Sequence, residues 1–284
     1  MRKILHSADY LYNKIRIIKK INDLSIIKAG LDADETPYVQ LENKLYFYGL
    51  RSSDKDLKYY RLLLNKTKEI LPFSCFRVAQ DIVIRYYEGG LRLGGPKKEQ
   101  YYKAKPADII AEMGAYQGFY TMYLAQKAGK YGTVIAIEPF EENILLLRKN
   151  ISNNKLSNVI IVTRGVWKEK TELIFYREKE DMQSGSIKLT NRNKNKIVIP
   201  VDSLDNILRE NGIDKVNFMI IQLNGAEKEA IQGMTNYKPL NITIAARYKS
   251  EKESVVGSLA EILRNRNYRV KILNRHYIYA ELIN

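Results

Sequence analysis

The stretch DIIAEMGAYQGFYT, residues 108 to 121, decides how the chain is read. Its apolar run carries Glu112 at its end and turns at Gly114, and Gly118 opens a segment with helical spacing. A short buried strand that feeds through glycines into a helix is the opening unit of an α/β fold. A dinucleotide-binding turn would read G-x-G-x-x-G and lay a pyrophosphate on the helix N-terminus. This one reads E-x-G-x-x-x-G, with Tyr116 in the middle-glycine position. The acid repels a pyrophosphate and attracts a ligand with a cationic amino or sulfonium group.

Outward from that turn the alternation continues. Strands are expected at 108–113, 133–138, 158–163, 217–223 and 241–246, and helices at 118–128, 141–153, 203–211, 227–234 and 254–266. Short apolar strands alternating with amphipathic helices predict a doubly wound, mostly parallel sheet. YRVKIL (268–273) and YIYAEL (277–282) predict an antiparallel hairpin that closes one edge and brings the sheet to seven strands. The second strand ends in Glu138, 24 residues after Gly114, where an acid can accept both hydroxyls of a ribose. Two acid-ended strands around a glycine turn fit a nucleoside that carries positive charge, and S-adenosylmethionine meets that description.

Before residue 100 the texture is mixed. A basic amphipathic helix is expected over Asp9–Asn22, a strand or hairpin over 38–50, a helix over 54–71 stopping at Pro72, and one or two strands in FRVAQDIVIRYYEGG (76–90). We read residues 1–100 as a smaller mixed α+β N-terminal cap on the substrate side, joined through GGPKKEQ (94–100) to a main domain over 101–284.

Composition narrows the function classes. An apolar fraction of 45% and a charged fraction of 28% are those of a soluble globular chain. The start of the chain breaks its apolar residues with His6, Ser7 and Asp9, and no apolar run approaches the length of a membrane span, so a cytoplasmic protein is expected. One cysteine, Cys75, and two distant histidines, His6 and His276, argue against a metal site. The +15 charge is spread, with 19 basic against 12 acidic residues in 1–100 and 28 against 20 in 101–284. Nucleic acid is therefore a possible partner and not the favoured one.

The text from Asp108 to about Tyr248 resembles the FkbM family of S-adenosylmethionine-dependent methyltransferases. The matching segments are DIIAEMGAYQGFYT, the run from Gly132 to Tyr176, VDSLDNIL (201–208) and NGAE (224–227). The resemblance implies a class I methyltransferase sheet and O-methylation of hydroxyls, often on sugars or natural products. It implies that Glu112, Gly114 and Gly118 meet the methionine part of the cofactor, and that Ala115 and Pro139 are also cofactor-binding. Glu138 would take the ribose, and Phe140, Gly165 and Val166 would lie at the adenine.

Family members tend to read I-D-V-E-G-A-E where this chain reads IQLNGAE (221–227), so Gln222 and Asn224 replace two acids. A third acid, expected after the fifth strand, is missing from AARYK (245–249). Gln222, Asn224 and Glu227 are the candidate catalytic residues. The amides can position an acceptor but cannot take a proton, which leaves Glu227, His276 or a hydroxyl of the cap as a base. Between Asp181 and Asp202 the chain has no acid and carries Lys188, Arg192, Lys194 and Lys196. Fewer acids and a basic segment favour an anionic small-molecule or glycan acceptor. An RNA methyltransferase and a catalytically impaired cofactor-binding protein are the alternatives.

Overall fold

The structure is a computed structural model and describes residues 2–62, 69–87, 99–177, 195–246, 255–273 and 277–283. His276, Arg192, Lys194, most of AARYK and most of the expected linker lie outside these residues. The chain divides into two compact units, residues 1–97 with 149–155, and residues 98–148 with 156–284.

The first unit opens with helix α1 (Arg2–Asn22), which is longer at its start than the spacing predicts. Strands β1 (Ile26–Leu31), β2 (Pro37–Leu41) and β3 (Tyr46–Tyr48) form an antiparallel sheet in that order, so residues 38–50 are a hairpin. The far edge of β3 is completed by two asparagines. Asn150 accepts from the Tyr48 N–H at 2.7 Å and donates to the Tyr48 carbonyl at 2.8 Å, and Asn154 does the same for Tyr46 at 2.9 and 2.7 Å. Side-chain amides here stand in for a neighbouring strand and satisfy an edge that would otherwise be open.

Helix α2 (Asp54–Tyr60) is shorter than expected. Residues 76–87, FRVAQDIVIRYY, are helical where one or two strands are expected. Helix α3 (Phe76–Asp81) runs into a π-helical stretch over Ile82–Tyr87. Val78, Ala79, Ile82, Val83 and Tyr86 are all buried. Their spacing of three and four residues places them on one helical face, so burial of that face overrides the β-branched preference of the local text.

In the second unit, strands β4 (Ile109–Met113), β5 (Thr133–Ile137), β6 (Val159–Val162), β10 (Phe218–Ile221) and β11 (Asn241–Ala245) are parallel. Strands β12 (Tyr268–Leu273) and β13 (Tyr277–Leu282) form the antiparallel hairpin. The sheet order is β12-β13-β11-β10-β4-β5-β6, the seven-stranded class I arrangement that the hairpin predicts. Ala111, Met113, Ile135, Ile137, Met219 and Ile221 face a core shared with helices α6 (Leu204–Glu210), α7 (Glu227–Gln232) and α8 (Val255–Asn265). The intervening residues Ile110, Val134, Phe218 and Ile220 pack with Tyr120, Leu124 and Ala128 of helix α4 (Phe119–Ala128), and helix α5 (Glu141–Asn153) follows β5 in the chain. Strands buried on both faces explain the uninterrupted apolar runs.

One element was not foreseen. Strands β7 (Gly165–Trp167), β8 (Thr171–Arg177) and β9 (Asn195–Ser203) make a separate sheet of order β7-β9-β8. Part of the segment read as a basic loop is thus strand β9, with Lys196 exposed on it.

Candidate functional site

Strand β4 has β5 on one side and β10 on the other, and the winding reverses between β4 and β10. A crevice outside the carboxyl ends of the strands at such a point is where open α/β sheets bind ligands. Two turns meet there. Gly114 has a φ of 85°, and a Cβ on it would stand 2.2 Å from the carbonyl oxygen of Gln222. Only glycine lets the first strand turn under the end of the fourth. The N–H groups of Gly114 and Ala115 donate to Ile137 at 2.9 and 3.1 Å, and the Gln222 N–H donates to Met113 at 3.0 Å. The switch point is therefore stitched from both sides.

The three acids around the turn are engaged. Glu112 is 1% exposed and accepts the Thr121 hydroxyl of α4 at 2.6 Å. Glu138, directly after β5, is 4% exposed. It accepts from the Tyr116 N–H at 2.9 Å, the Phe140 N–H at 3.2 Å and the Asn143 amide at 2.9 Å. Tyr116 has a φ of 54°, a left-handed conformation that is uncommon for a tyrosine. Glu227 is the first residue of α7, 1% exposed, and accepts the N–H groups of Leu223 at 3.2 Å and Gly225 at 3.0 Å. Burial pushes its carboxyl up from the usual range, three backbone N–H donors pull it down and Glu229 adds to the rise.

Gln222 and Asn224 are partly buried, and Asn224 lies in the left-handed region at φ 53°. Gly118 precedes α4, also with positive φ. Gly165 and Val166 sit on β7. A Cβ on Gly165 would lie 3.0 Å from Val201 and 3.7 Å from Pro139, so this strand passes close to the turn after β5. Phe140 is 9% exposed and packs edge-on against Phe175 with ring centroids 5.7 Å apart, beside Ile199 and Val201. Its ring belongs to the apolar layer of the small sheet. Arg164 ties that sheet's entry to Asp202 at 3.1 Å and to Glu210.

Sequence reasoning missed Thr121, Asn143 and the small sheet. Asn143 and Thr121 are ordinary helix residues in the text, and only the fold brings them to Glu138 and Glu112. The residues present fit S-adenosylmethionine. The glycine turn at Gly114 sits at the switch point of the sheet, and buried carboxylates, Glu112 and Glu138, lie at the ends of the first two strands, suited to a cationic nucleoside.

The family model described as a methyltransferase FkbM domain matches residues 112–270. No curated protein matches the chain. Among solved structures, an S-adenosylmethionine-dependent methyltransferase of Aquifex aeolicus is 15% identical, with a TM-score of 0.38, over 64% of this chain and 85% of that one. Aeropyrum pernix fibrillarin with natively bound S-adenosyl-L-methionine is 10% identical, with a TM-score of 0.45, over 90% and 99%. Precorrin-6y C5,15-methyltransferase of Geobacter metallireducens is 12% identical, with a TM-score of 0.39, over 63% and 82%. Likeness at that level carries nothing about this chain's acceptor. No helix among the described residues is long and apolar enough to cross a membrane.

Proposed function

Because the chain belongs to the FkbM methyltransferase family, whose cofactor is S-adenosylmethionine, we propose that it O-methylates a sugar or other small molecule in the cytoplasm, without a metal ion and with an anionic acceptor favoured. The observation that carries this reading is the meeting of an amide-bearing strand end with the glycine turn, the Gln222 carbonyl lying over Gly114.

When bound, S-adenosylmethionine supplies an electrophilic methyl on a sulfonium centre. The chain's own residues bind and orient. The Gly114–Ala115 turn, tied to Ile137, fixes the end of β4 beside the cofactor, Glu112 sets negative charge beneath the turn, and Glu138 holds the turn and accepts a ribose hydroxyl. Gln222 and Asn224 hydrogen-bond the acceptor. A general base is worth about 10²–10⁴-fold, whereas near-attack positioning of a bound nucleophile is worth about 7–11 kcal/mol. Losing the family's acids lowers the rate and leaves the larger effect in place. Each missing carboxylate also removes a repulsion of ~3 kcal/mol against an anion about 5 Å away at an effective dielectric near 20.

The amides also favour a second reading, a cofactor-binding protein that has lost catalysis. Incubation with methyl-labelled S-adenosylmethionine and a panel of neutral and anionic hydroxyl compounds separates the two. Label in a methyl ether, more of it on phosphate- or carboxylate-bearing compounds, is the expected result. Cofactor binding with no transfer to any member of the panel favours the second reading. Label entering RNA, with affinity falling steeply as salt rises, would sink both.

A further inference from the structure

We propose that Glu227 is a positioning residue for methyl transfer, its buried carboxylate holding the 222–225 loop in the shape that lays the Gln222 carbonyl across Gly114. The inference rests on the cofactor reading above and goes beyond it, because it assigns Glu227 to the loop and not to the proton of the acceptor.

Three observations converge on it. The Glu227 carboxylate folds back on the loop that precedes its own helix, with one oxygen on the Leu223 N–H and the other on the Gly225 N–H. At 1% exposure it presents almost nothing to solvent, so it is poorly placed to take a proton from an entering hydroxyl. The loop it clamps needs clamping, since Asn224 and Gly225 have consecutive positive φ values of 53° and 114°. A non-glycine residue keeps such a conformation only where its surroundings over-determine it. Finally, the loop begins at Gln222, whose N–H is fixed to Met113 and whose carbonyl occupies the space above Gly114. A change in loop shape is therefore felt at the cofactor turn.

The chemistry demands an acid at this position. Both oxygens accept backbone N–H groups, and a glutamine of the same size would turn a donor NH₂ toward one of them.

The test uses the full chain, isotope-labelled for amide NMR, with S-adenosylhomocysteine as the probe. Glu227→Gln is compared with wild type for probe affinity by calorimetry, for the amide resonances of Leu223, Gly225 and Gly114, and for the thermal midpoint. The expected result is affinity weakened by about tenfold, with the Leu223 and Gly225 amides moved and the Gly114 amide shifted with them. Gly225→Ala, which leaves the carboxylate intact but forbids the loop shape, should give the same loss. A Glu227→Gln variant within about twofold of wild type, its Gly114 amide unmoved, overturns the proposal. Should that variant not fold, Gly225→Ala decides on the same two readouts. If wild type itself fails to bind the probe, the cofactor reading falls, and the Gly114 amide response alone judges Glu227.

Discussion

The carboxylate of Glu138, at the end of the second parallel strand, accepts the backbone N–H of Tyr116 at 2.9 Å. The acid thus supports the strained residue at the centre of the glycine turn before any ligand is present, and it would serve the ribose from the same position. A carboxylate has about four lone-pair directions, and at least three of Glu138's are turned to protein donors. Glu138→Ala should therefore loosen the turn as well as remove a ribose contact. Calorimetry should show S-adenosylhomocysteine affinity reduced by about 1.5–3 kcal/mol, the range for hydrogen bonds to a charged group. Unchanged affinity would remove Glu138 from the site.

Two glycines with positive φ allow a matched comparison. A Cβ on Gly114 would stand 2.2 Å from a backbone oxygen, whereas one on Gly212, at φ 68°, would meet nothing within 4 Å. Gly212→Ala should cost only the left-handed strain, ~1–2 kcal/mol by denaturant unfolding. Gly114→Ala adds a backbone clash to that strain. It should either fail to fold or lose cofactor binding outright. Equal costs at the two positions would mean that β4 and β10 do not approach as described.

Much of this was readable from the text, for a physical reason. The parallel strands are buried on both faces, so their apolar runs are short, continuous and bounded by turn residues, and the expected and observed bounds differ by two residues at most. FRVAQDIVIRYY misled because Val, Ile and Tyr favour strands locally, while the burial of Val78, Ile82 and Tyr86 on one side is a tertiary fact. The small sheet escaped notice because β7 is three residues long and pairs with a strand far along the chain, Gly165 opposite Val201. At the site, Glu112, Gly114 and Glu138 stood out by their spacing. Where Glu227's carboxylate goes was not legible, since it depends on loop residues with positive φ that no side-chain pattern announces.

Alkaline stability should report one half-buried tyrosine. The Tyr102 hydroxyl donates to both oxygens of Asp108 at 3.0 Å. Burial pushes its pKa up to about 12, and the hydrogen bond and negative charge of Asp108 add to the rise. A phenol with a raised folded-state pKa contributes stability that is fully present below its ordinary value near 10 and is lost as pH rises through about 12. Wild-type stability should fall across that window. Tyr102→Phe keeps the ring beside Phe218 and should be less stable than wild type at neutral pH. The gap should narrow toward pH 12. A gap that does not change with pH would mean that Tyr102 does not titrate in this window.

Magnesium sites usually recruit one or two carboxylates, with waters and substrate oxygens completing an octahedron. Among the described residues, the acids nearest the switch point are Glu112, Glu138 and Glu227, and each already accepts protein donors, Thr121 for the first and backbone N–H groups for the other two. Recruiting any of them would break those bonds and release the turn or loop that each one holds. Gln222 and Asn224 offer only neutral amide oxygens, weak ligands for a hard dication. Once an acceptor is found, transfer should therefore continue at an unchanged rate after treatment with a strong chelator, and added magnesium should not raise it. Loss of activity on chelation, restored by magnesium, would show that at least one of these carboxylates leaves its protein partners during turnover.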